Sequence, residues 1–513
     1  MHHFIYCINL NRFILKLKNV VIIGSGFAGL SAACFMAKEG WNVTIVEKQS
    51  TPGGRARQLH AEGFTFDIGP SWYWMPDVFE RFFSCFGKTV GDYYQLDRLD
   101  PSYRIYWPEK YMDIPADYDC LKNLFESIEP GSGAMLDKFM KEAQYKYEVG
   151  INKLVHKPGQ SIAEFADIDL LKGIFKLDVF TSMKKHIGKH FKHPQLQQLL
   201  EFPVLFLGAL PKNTPALYSL MNYADVKSGT WYPKGGMYKI VEAIYQLATE
   251  LEVHFNFNHT VIKIDVEGQS AKKVVANITN AHRQIEEKIF DADVVIGGAD
   301  YHFIETKLLE HQYRTYSDIY WNKRVMAPSC LIYYVGLNKK LNNVLHHTLF
   351  FDTSFEVHGK EIYTEPKWPE KPLFYVSVTS VSDDSVAPEG CENLFFLIPV
   401  ASGLTGDTEA LRDKYFDEII ERYQSRIGQS VKDAIVYKKS YSVSNFIEDY
   451  NAFKGNAYGL ANTLMQTAVL KPGCKSKKIS NLFYTGQLTV PGPGVPPSLI
   501  SGEVVAKEIV KYF

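Results

Sequence analysis

A chain of 513 residues is more than one simple core absorbs, so about two or three domains are expected, at least one of them assembled from separated segments. With 46% hydrophobic and 22% charged residues it has the composition of a folded globular protein, which excludes long disordered tracts. A formal charge of -1 gives no electrostatic basis for a nucleic-acid partner.

The aromatic share of 14% fits a large core, or an apolar or conjugated ligand; composition alone favours the core. Seven cysteines (Cys7, Cys34, Cys85, Cys120, Cys330, Cys391 and Cys474) lie far apart with no C-x-x-C pair. That is neither a zinc pattern nor a disulfide framework, so no metal is expected and a reducing cytoplasm fits best.

At the start of the chain, Met1 to Leu17 is apolar but interrupted by Asn9, Asn11, Arg12 and Lys16. Without a small-residue cleavage site it does not read as a signal peptide. Next comes a short β-branched run, Val20-Val-Ile-Ile23, which reads as a buried parallel strand. Gly24-Ser-Gly-Phe-Ala-Gly29 follows at once, then a helical stretch from Leu30 to Glu39, the helix-ending Gly40 and a second strand, Asn42 to Val46. In such a strand–turn–helix–strand unit Gly24 permits the tight turn and Gly26 lets the backbone approach a pyrophosphate. Gly29 lets helix and strand pack, and the helix N-terminus offers N–H groups and partial positive charge to phosphates. Glu47, at the end of the second strand, is placed to accept hydrogen bonds from a ribose. A lone G-x-G-x-x-G is weak; here every flanking element falls where a dinucleotide site requires it.

The acid does not choose between NAD and FAD, but Thr51-Pro-Gly-Gly-Arg-Ala-Arg57 does. Gly53 and Gly54 let the chain pass close to a diphosphate and Arg55 supplies a bidentate cation. Gly-Gly-Arg after the ribose acid resembles the large FAD-dependent amine oxidase and desaturase superfamily.

Further along, Leu59 to Phe66 alternates like a hairpin and leads into Phe64-Thr-Phe-Asp-Ile-Gly-Pro-Ser71. In the resembled superfamily such a segment turns beneath the flavin ring. From Phe79 to Pro194 the pattern is richer in helix. The most apolar stretch, Phe202 to Leu210, contains Pro203 and is too short to span a bilayer; it reads as buried, or as a surface that dips into one. Gly229 to Met237 is rich in turn residues and precedes a helix over Tyr238 to Leu251. A strand pair is expected around Val253 to Phe257 and Thr260 to Val266, and a buried strand over Ala292 to Ala299. Three aromatic and β-branched strands follow, Ser329 to Leu337, Leu373 to Val378 and Leu394 to Ile398, which suggest a mixed sheet. Near the end, a strand at Leu482 to Thr485 stops at Gly486. A Pro/Gly loop then runs through Gly492 and Gly494 to a closing helix, whose positive end near Pro497 points back at the nucleotide site.

The fold expected is α/β: a Rossmann-like FAD-binding domain, made of residues 18–78, 225–310 and 479–513, with a discontinuous α+β substrate domain. The latter takes a helical lid at 79–224, which offers a membrane-facing surface, and sheet and helices at 311–478.

With both ends read, residues 18–513 resemble the bacterial-type phytoene desaturases, FAD-dependent carotenoid desaturases of the amine oxidase-like superfamily. The carriers are the glycine motif, Gly53-Gly-Arg-Ala56 and Phe64 to Pro70, with Pro101-Ser-Tyr-Arg-Ile-Tyr-Trp107, Trp231-Tyr-Pro-Lys-Gly-Gly236, Tyr458-Gly-Leu-Ala-Asn462 and the Gly486 loop. One departure stands out: where the family has Thr-His-Pro-Gly, this chain has Thr489-Val-Pro-Gly492, which removes any histidine role there. The resemblance implies FAD contacts at Gly24, Ser25, Gly26, Phe27, Ala28, Gly29, Glu47, Lys48, Gly53, Gly54, Arg55, Ala56, Gly69, Pro70, Ser71, Val261, Gly486, Gln487 and Val495. It implies desaturation of phytoene to more conjugated carotenes such as lycopene by a cytoplasmic, peripheral membrane protein, with oxygen or a quinone as electron acceptor. Such chemistry asks the protein mainly to orient the chain and exclude water. Glu148 and Asp300 read as solvated or structural groups, and no catalytic base is named.

Other readings stay open on the same fold. They are a carotenoid isomerase, a later-step carotenoid desaturase, a retinoid saturase, or an amine oxidase, for which no cysteinyl-flavin motif is present. A prenyl-group carrier without flavin chemistry is the non-enzyme alternative, against which the intact Gly24–Gly29 motif, Glu47 and Gly53-Gly54-Arg55 argue.

Overall fold

The computed structural model describes residues 18–161, 164, 177–279 and 284–513. The segment Met1 to Leu17, read above as no signal peptide, lies outside these residues.

A parallel sheet of five strands sits at the centre of one half. Its order is Leu482–Tyr484, Val294–Gly297, Asn19–Ile23, Asn42–Val46 and His254–Asn256. Sequence-distant segments meet here because each is a short β-branched or aromatic run that helices and loops cover on both faces. Helix Phe27–Lys38 buries ten residues, and the C-terminal helix Val495–Tyr512 and helix Tyr238–Glu250 pack against it. On the other side lies an antiparallel sheet of three strands, His259–Glu267, Ser270–Thr279 and Ile285–Asp291.

The expected strand pair at 253–266 does not form. His254–Asn256 instead extends the parallel sheet beside Asn42–Val46, and His259–Glu267 pairs forward with Ser270–Thr279. The reason lies at Glu47: its N–H donates to Asn256 O and its carbonyl accepts from His259 N, both at 2.9 Å. These bonds hold the two strands to a third partner rather than to each other.

The second half is built on a sheet of seven strands: Ile435–Tyr441, Ser329–Leu337, Glu392–Val400, Phe374–Ser377, His347–Phe350, Tyr103–Tyr106 and Tyr111–Ile114. All neighbours are antiparallel except His347–Phe350 with Tyr103–Tyr106. Side chains alternate between two cores, as strand periodicity requires. Leu331, Tyr333 and Val335 pack under helix Glu409–Ile427, whereas Cys330, Ile332 and Tyr334 face the other half of the molecule. The stretch 79–224 is therefore not purely helical. Tyr103–Tyr106 and Tyr111–Ile114 leave it to form one edge of this sheet, as their aromatic and β-branched content favours. Among the described residues the same stretch holds the helices Tyr118–Ile128, Ser132–Val149, Met183–His190, Pro194–Glu201 and Leu220–Val226, and a short strand, Leu96–Arg98, that pairs with Trp231–Pro233. In the apolar stretch Phe202 to Leu210, Phe202, Val204 and Leu210 are buried; the side chains at 205–207 fall outside the description.

Candidate ligand cavity

The glycine loop joins strand Asn19–Ile23 to helix Phe27–Lys38. Gly24 adopts φ 97° and donates to Val46 O at 2.9 Å. A Cβ on Gly29 would lie 2.1 Å from Gly24 O, so only glycine lets the helix seat on the turn. Gly26 is different in kind: a Cβ there would meet nothing within 4 Å. It borders open space, and the helix it caps begins without a side-chain partner for its first N–H groups.

Glu47 does more than the sequence suggested. Its Oε2 accepts from both Ser25 N and Ser25 Oγ at 2.7 Å, and Oε1 accepts from Gln49 N at 2.8 Å. The carboxylate thus fastens the glycine loop to the end of the second strand while still reaching the cavity wall.

Gly53 N donates to Ser25 O at 2.9 Å, which lays the Gly-Gly-Arg turn against the loop. Arg55 donates to Asn456 O at 3.3 Å, and the Gln487 amide oxygen accepts its two Nη groups at 3.0 and 3.1 Å. The guanidinium also lies 5.3 Å from the Tyr450 ring centre. Burial lowers its pKa from the usual guanidinium range, and Asp300 pulls it back. Its Nε is buried with no partner among the described residues. An orphaned cationic donor next to an open glycine cradle fits an anionic diphosphate.

All of this opens on one continuous cavity of about 400 Å³, within the roughly 300–1,000 Å³ of an ordinary small-molecule pocket. At its polar end stand Gly24, Gly26, Phe27, Ala28, Glu47, Lys48, Gly53, Gly54, Arg55, Ala56 and Val261. Farther along come Gly69, Pro70 and Ser71, with Gly486, Gln487 and Val495 on the flank. Ser25 and Gly29 are the two expected site residues that do not line it; they lie behind the wall and shape it. The terminal loop is tied to the closing helix through Ser501, whose Oγ donates to Val490 O at 2.7 Å and accepts from Gly486 N at 2.9 Å. That helix, Val495–Tyr512, turns its N-terminal residues into the cavity. Val490, which replaces the family's histidine, is buried in the core and is not part of the wall.

The far end of the cavity was not assigned from sequence. It is formed by Trp72, Trp74, Met75, Ile332, Tyr375 and Leu397. Trp72, Trp74 and Met75 follow shortly after Ser71, and Ile332, Tyr375 and Leu397 are inward positions of the strands predicted at 329–337, 373–378 and 394–398, so for these three period-two alternation was the available signal. The carboxylates at the polar end are engaged. Asp300 accepts from Phe303 N and Phe453 N, both at 3.1 Å, and burial raises its pKa; Asp449 pairs with Arg57 at 3.1 Å. Glu148 is exposed and takes a hydrogen bond from Gln144. Cys330 is held as a thiol, its pKa pushed up to about 12 by burial.

Away from the cavity, Glu142 lies 3.6 Å from both His186 and His190. The Lys146 ammonium, paired with Asp178 at 2.9 Å, stands 3.4 Å from His186 Nε2. Burial, then this lysine, pushes the His186 pKa down to about 3, and the same positive charge opposes a cation at the cluster.

Comparison with known proteins bears on what fills the cavity. The family model described as flavin containing amine oxidoreductase matches residues 27–510. A carotenoid 3,4-desaturase of Haloarcula japonica is 39% identical over 96% of this chain and 98% of its own length. A zeta-carotene-forming phytoene desaturase of Myxococcus xanthus is 28% identical over 96% of this chain and 94% of its own. Among solved structures, an oxidoreductase from Methanosarcina mazei superposes with a TM-score of 0.60 at 16% identity, covering 96% of this chain and 100% of that one; this likeness speaks to fold alone.

Proposed function

Because the chain belongs to the flavin-containing amine oxidoreductase family and, within it, to the carotenoid desaturases, we propose that this FAD-dependent oxidoreductase introduces double bonds into a linear carotenoid. FAD, when bound, supplies the hydride acceptor. The protein's own share is to hold the polyene against the cofactor, exclude water and take up the accompanying proton.

In this reading the N-terminus of helix Phe27–Lys38 and the Gly53–Arg55 turn hold the FAD diphosphate. Glu47 and Lys48 take the ribose and Val261 the adenosine side, while Gly69–Ser71 and the loop from Gly486 to Val495 bracket the ring. Residues 18–78, 225–310 and 479–513 then act as the cofactor-binding unit, with 79–224 and 311–478 around the substrate.

The observation that carries the proposal is the continuity of the cavity, which runs from a phosphate cradle to an apolar wall of Trp72, Met75, Ile332 and Leu397. An apolar surface next to a dinucleotide site suits a hydrocarbon chain that binds by burial rather than by hydrogen bonds. The test is purified, FAD-loaded protein incubated with phytoene in liposomes. A polyene band that moves to longer wavelength supports the proposal, and an unchanged spectrum with every carotenoid offered rejects it.

The substrate step has two readings. The motifs quoted above favour phytoene and its conversion toward lycopene. The 39% identity to a 3,4-desaturase favours a later step, on a polyene already conjugated. Offering phytoene and lycopene separately decides between them. The electron acceptor is oxygen or a quinone, and anaerobic reoxidation with an added quinone separates the two.

Such substrates reside in lipid, so the enzyme works at a membrane surface. No helix among the described residues is long and apolar enough to cross a bilayer. Phe180 is 81% exposed, next to a helix that carries the exposed lysines Lys184, Lys185 and Lys189. An apolar anchor flanked by cations suits the surface of an anionic membrane.

A further inference from the structure

Desaturation leaves a proton to be disposed of. Once hydride departs, the neighbouring C–H is strongly acidic, and some group must take its proton in a cavity whose far end is apolar. The lining carboxylates stand at the polar end with their hydrogen bonds made, and Cys330 keeps its proton. Ser71 donates to Gly69 O at 3.3 Å.

Tyr375 is placed differently. It lines the far end of the cavity from strand Phe374–Ser377, and its hydroxyl lies 2.6 Å from His347 Nδ1 on the adjacent strand. The His347 ring is wholly buried and stacked on Trp72, with ring centres 4.1 Å apart and planes 12° from parallel. Next to it, at 4.4 Å between ring centres, is His346. His346 Nδ1 lies 3.0 Å from the hydroxyl of Ser382, which is exposed. The Nε2 atoms of both histidines are buried without a partner among the described residues. Two adjacent orphaned imidazole nitrogens are a costly feature in a folded core. The arrangement sets a hydrogen-bonded pair, Tyr375 and His347, behind the cavity wall, with a second neutral imidazole packed against it.

Resting on the desaturase reading, we infer that Tyr375 is the catalytic proton acceptor, and that His347 takes up the hydroxyl proton it releases. In the step, the substrate C–H bond breaks and its electron pair becomes the new C=C bond. The proton bonds to Tyr375 Oη as the original hydroxyl proton moves to His347 Nδ1. His347 then holds the proton as an imidazolium, and no further oxidant is required. His347 accepts through Nδ1 in the tautomer that carries its proton on Nε2. Burial holds Tyr375 as the phenol, and burial, then His346, holds His347 neutral, so both begin in the states this transfer needs. Asp383 and Tyr232 are the other titratable groups near the pair; Asp383 accepts from Gly235 N and the Tyr232 hydroxyl, and the Tyr232 ring lies 4.6 Å from His346.

The test compares wild type, Tyr375→Phe and His347→Gln as FAD-loaded enzymes. Flavin content, polyene binding to the dithionite-reduced protein and single-turnover product formation are measured for each. Wild-type inactivity toward every polyene would reject the desaturase reading, not this one. Given an active wild type, Tyr375→Phe slows product formation about 100-fold or more, the usual worth of a general base, with flavin content and polyene binding unchanged. His347→Gln slows it as well and abolishes the solvent deuterium isotope effect, and this variant carries the test if Tyr375→Phe does not fold. Product formation at the wild-type rate in either variant overturns the inference. A slow variant that has also lost polyene binding overturns it too, because that result marks Tyr375 as a packing residue.

Discussion

The two glycines that bracket the first helical turn make opposite predictions. Gly26 has ordinary backbone angles, φ −69° and ψ 173°, that any residue adopts, and a Cβ there meets nothing within 4 Å. Gly26→Val therefore folds with the stability of the cofactor-free wild type, but its side chain fills the cradle proposed for the diphosphate. Displacing two charge-assisted hydrogen bonds, at about 1.5–3 kcal/mol each, costs about 3–6 kcal/mol, or roughly a 100- to 10,000-fold loss of FAD affinity. Gly29→Ala reverses the pattern. Its Cβ would sit 2.1 Å from Gly24 O, backbone against backbone, where no side chain can yield. Overpacking of this kind costs about 1–3 kcal/mol of fold stability or more. The assay is FAD titration of each apoprotein with urea unfolding in parallel, both without cofactor, because bound ligand would itself raise apparent stability. Tight FAD binding by Gly26→Val would refute the cradle assignment. An unfolded Gly26→Val beside a stable Gly29→Ala would refute the geometric argument as a whole.

Burial raises the Glu503 pKa, but hydrogen bonds from Arg81, 2.7 Å to each oxygen, and from Lys507 outweigh it and hold the carboxyl at about 2. A carboxyl with a depressed pKa contributes stability that is complete above its unfolded value and disappears as pH falls toward 2. With Arg81 half exposed, the contribution is at most about 2 kcal/mol, and Arg81→Gln moves the acid-unfolding midpoint, followed by tryptophan fluorescence, to higher pH. At the membrane, replacing Lys184, Lys185 and Lys189 with glutamine removes about 1 kcal/mol per charge. Sedimentation with anionic vesicles then shows roughly 100-fold weaker binding and with neutral vesicles little change; equal loss in both would exclude an electrostatic role.

How much the sequence revealed depended on how local each signal was. The turn at Gly24, the packing at Gly29, the Gly53–Arg55 turn and the start of the closing helix are written in adjacent residues, and they were legible. The strand at His254–Asn256 was assigned the wrong partner because its pairing is fixed by Glu47, far away in the chain. Nothing near Ser25 announces that Glu47 takes both its N–H and its hydroxyl and draws it behind the cavity wall. Tyr103–Tyr106 was submerged in a helical neighbourhood, and only the seven-stranded sheet gives it a place. The apolar end of the cavity draws Trp72, Ile332, Tyr375 and Leu397 from four segments, each of which reads as core by itself. The contact of Tyr375 with His347 joins neighbouring strands whose pairing no short-range pattern encodes.

The central claim is that one cavity sets a carotenoid against FAD. Its most direct test is to mix oxidised, FAD-loaded enzyme anaerobically with phytoene- or lycopene-bearing liposomes and follow both chromophores. Flavin absorbance is expected to bleach as the polyene band moves to longer wavelength, one new double bond per flavin. A flavin that stays oxidised with every polyene, or a polyene that changes while the flavin does not, would contradict it.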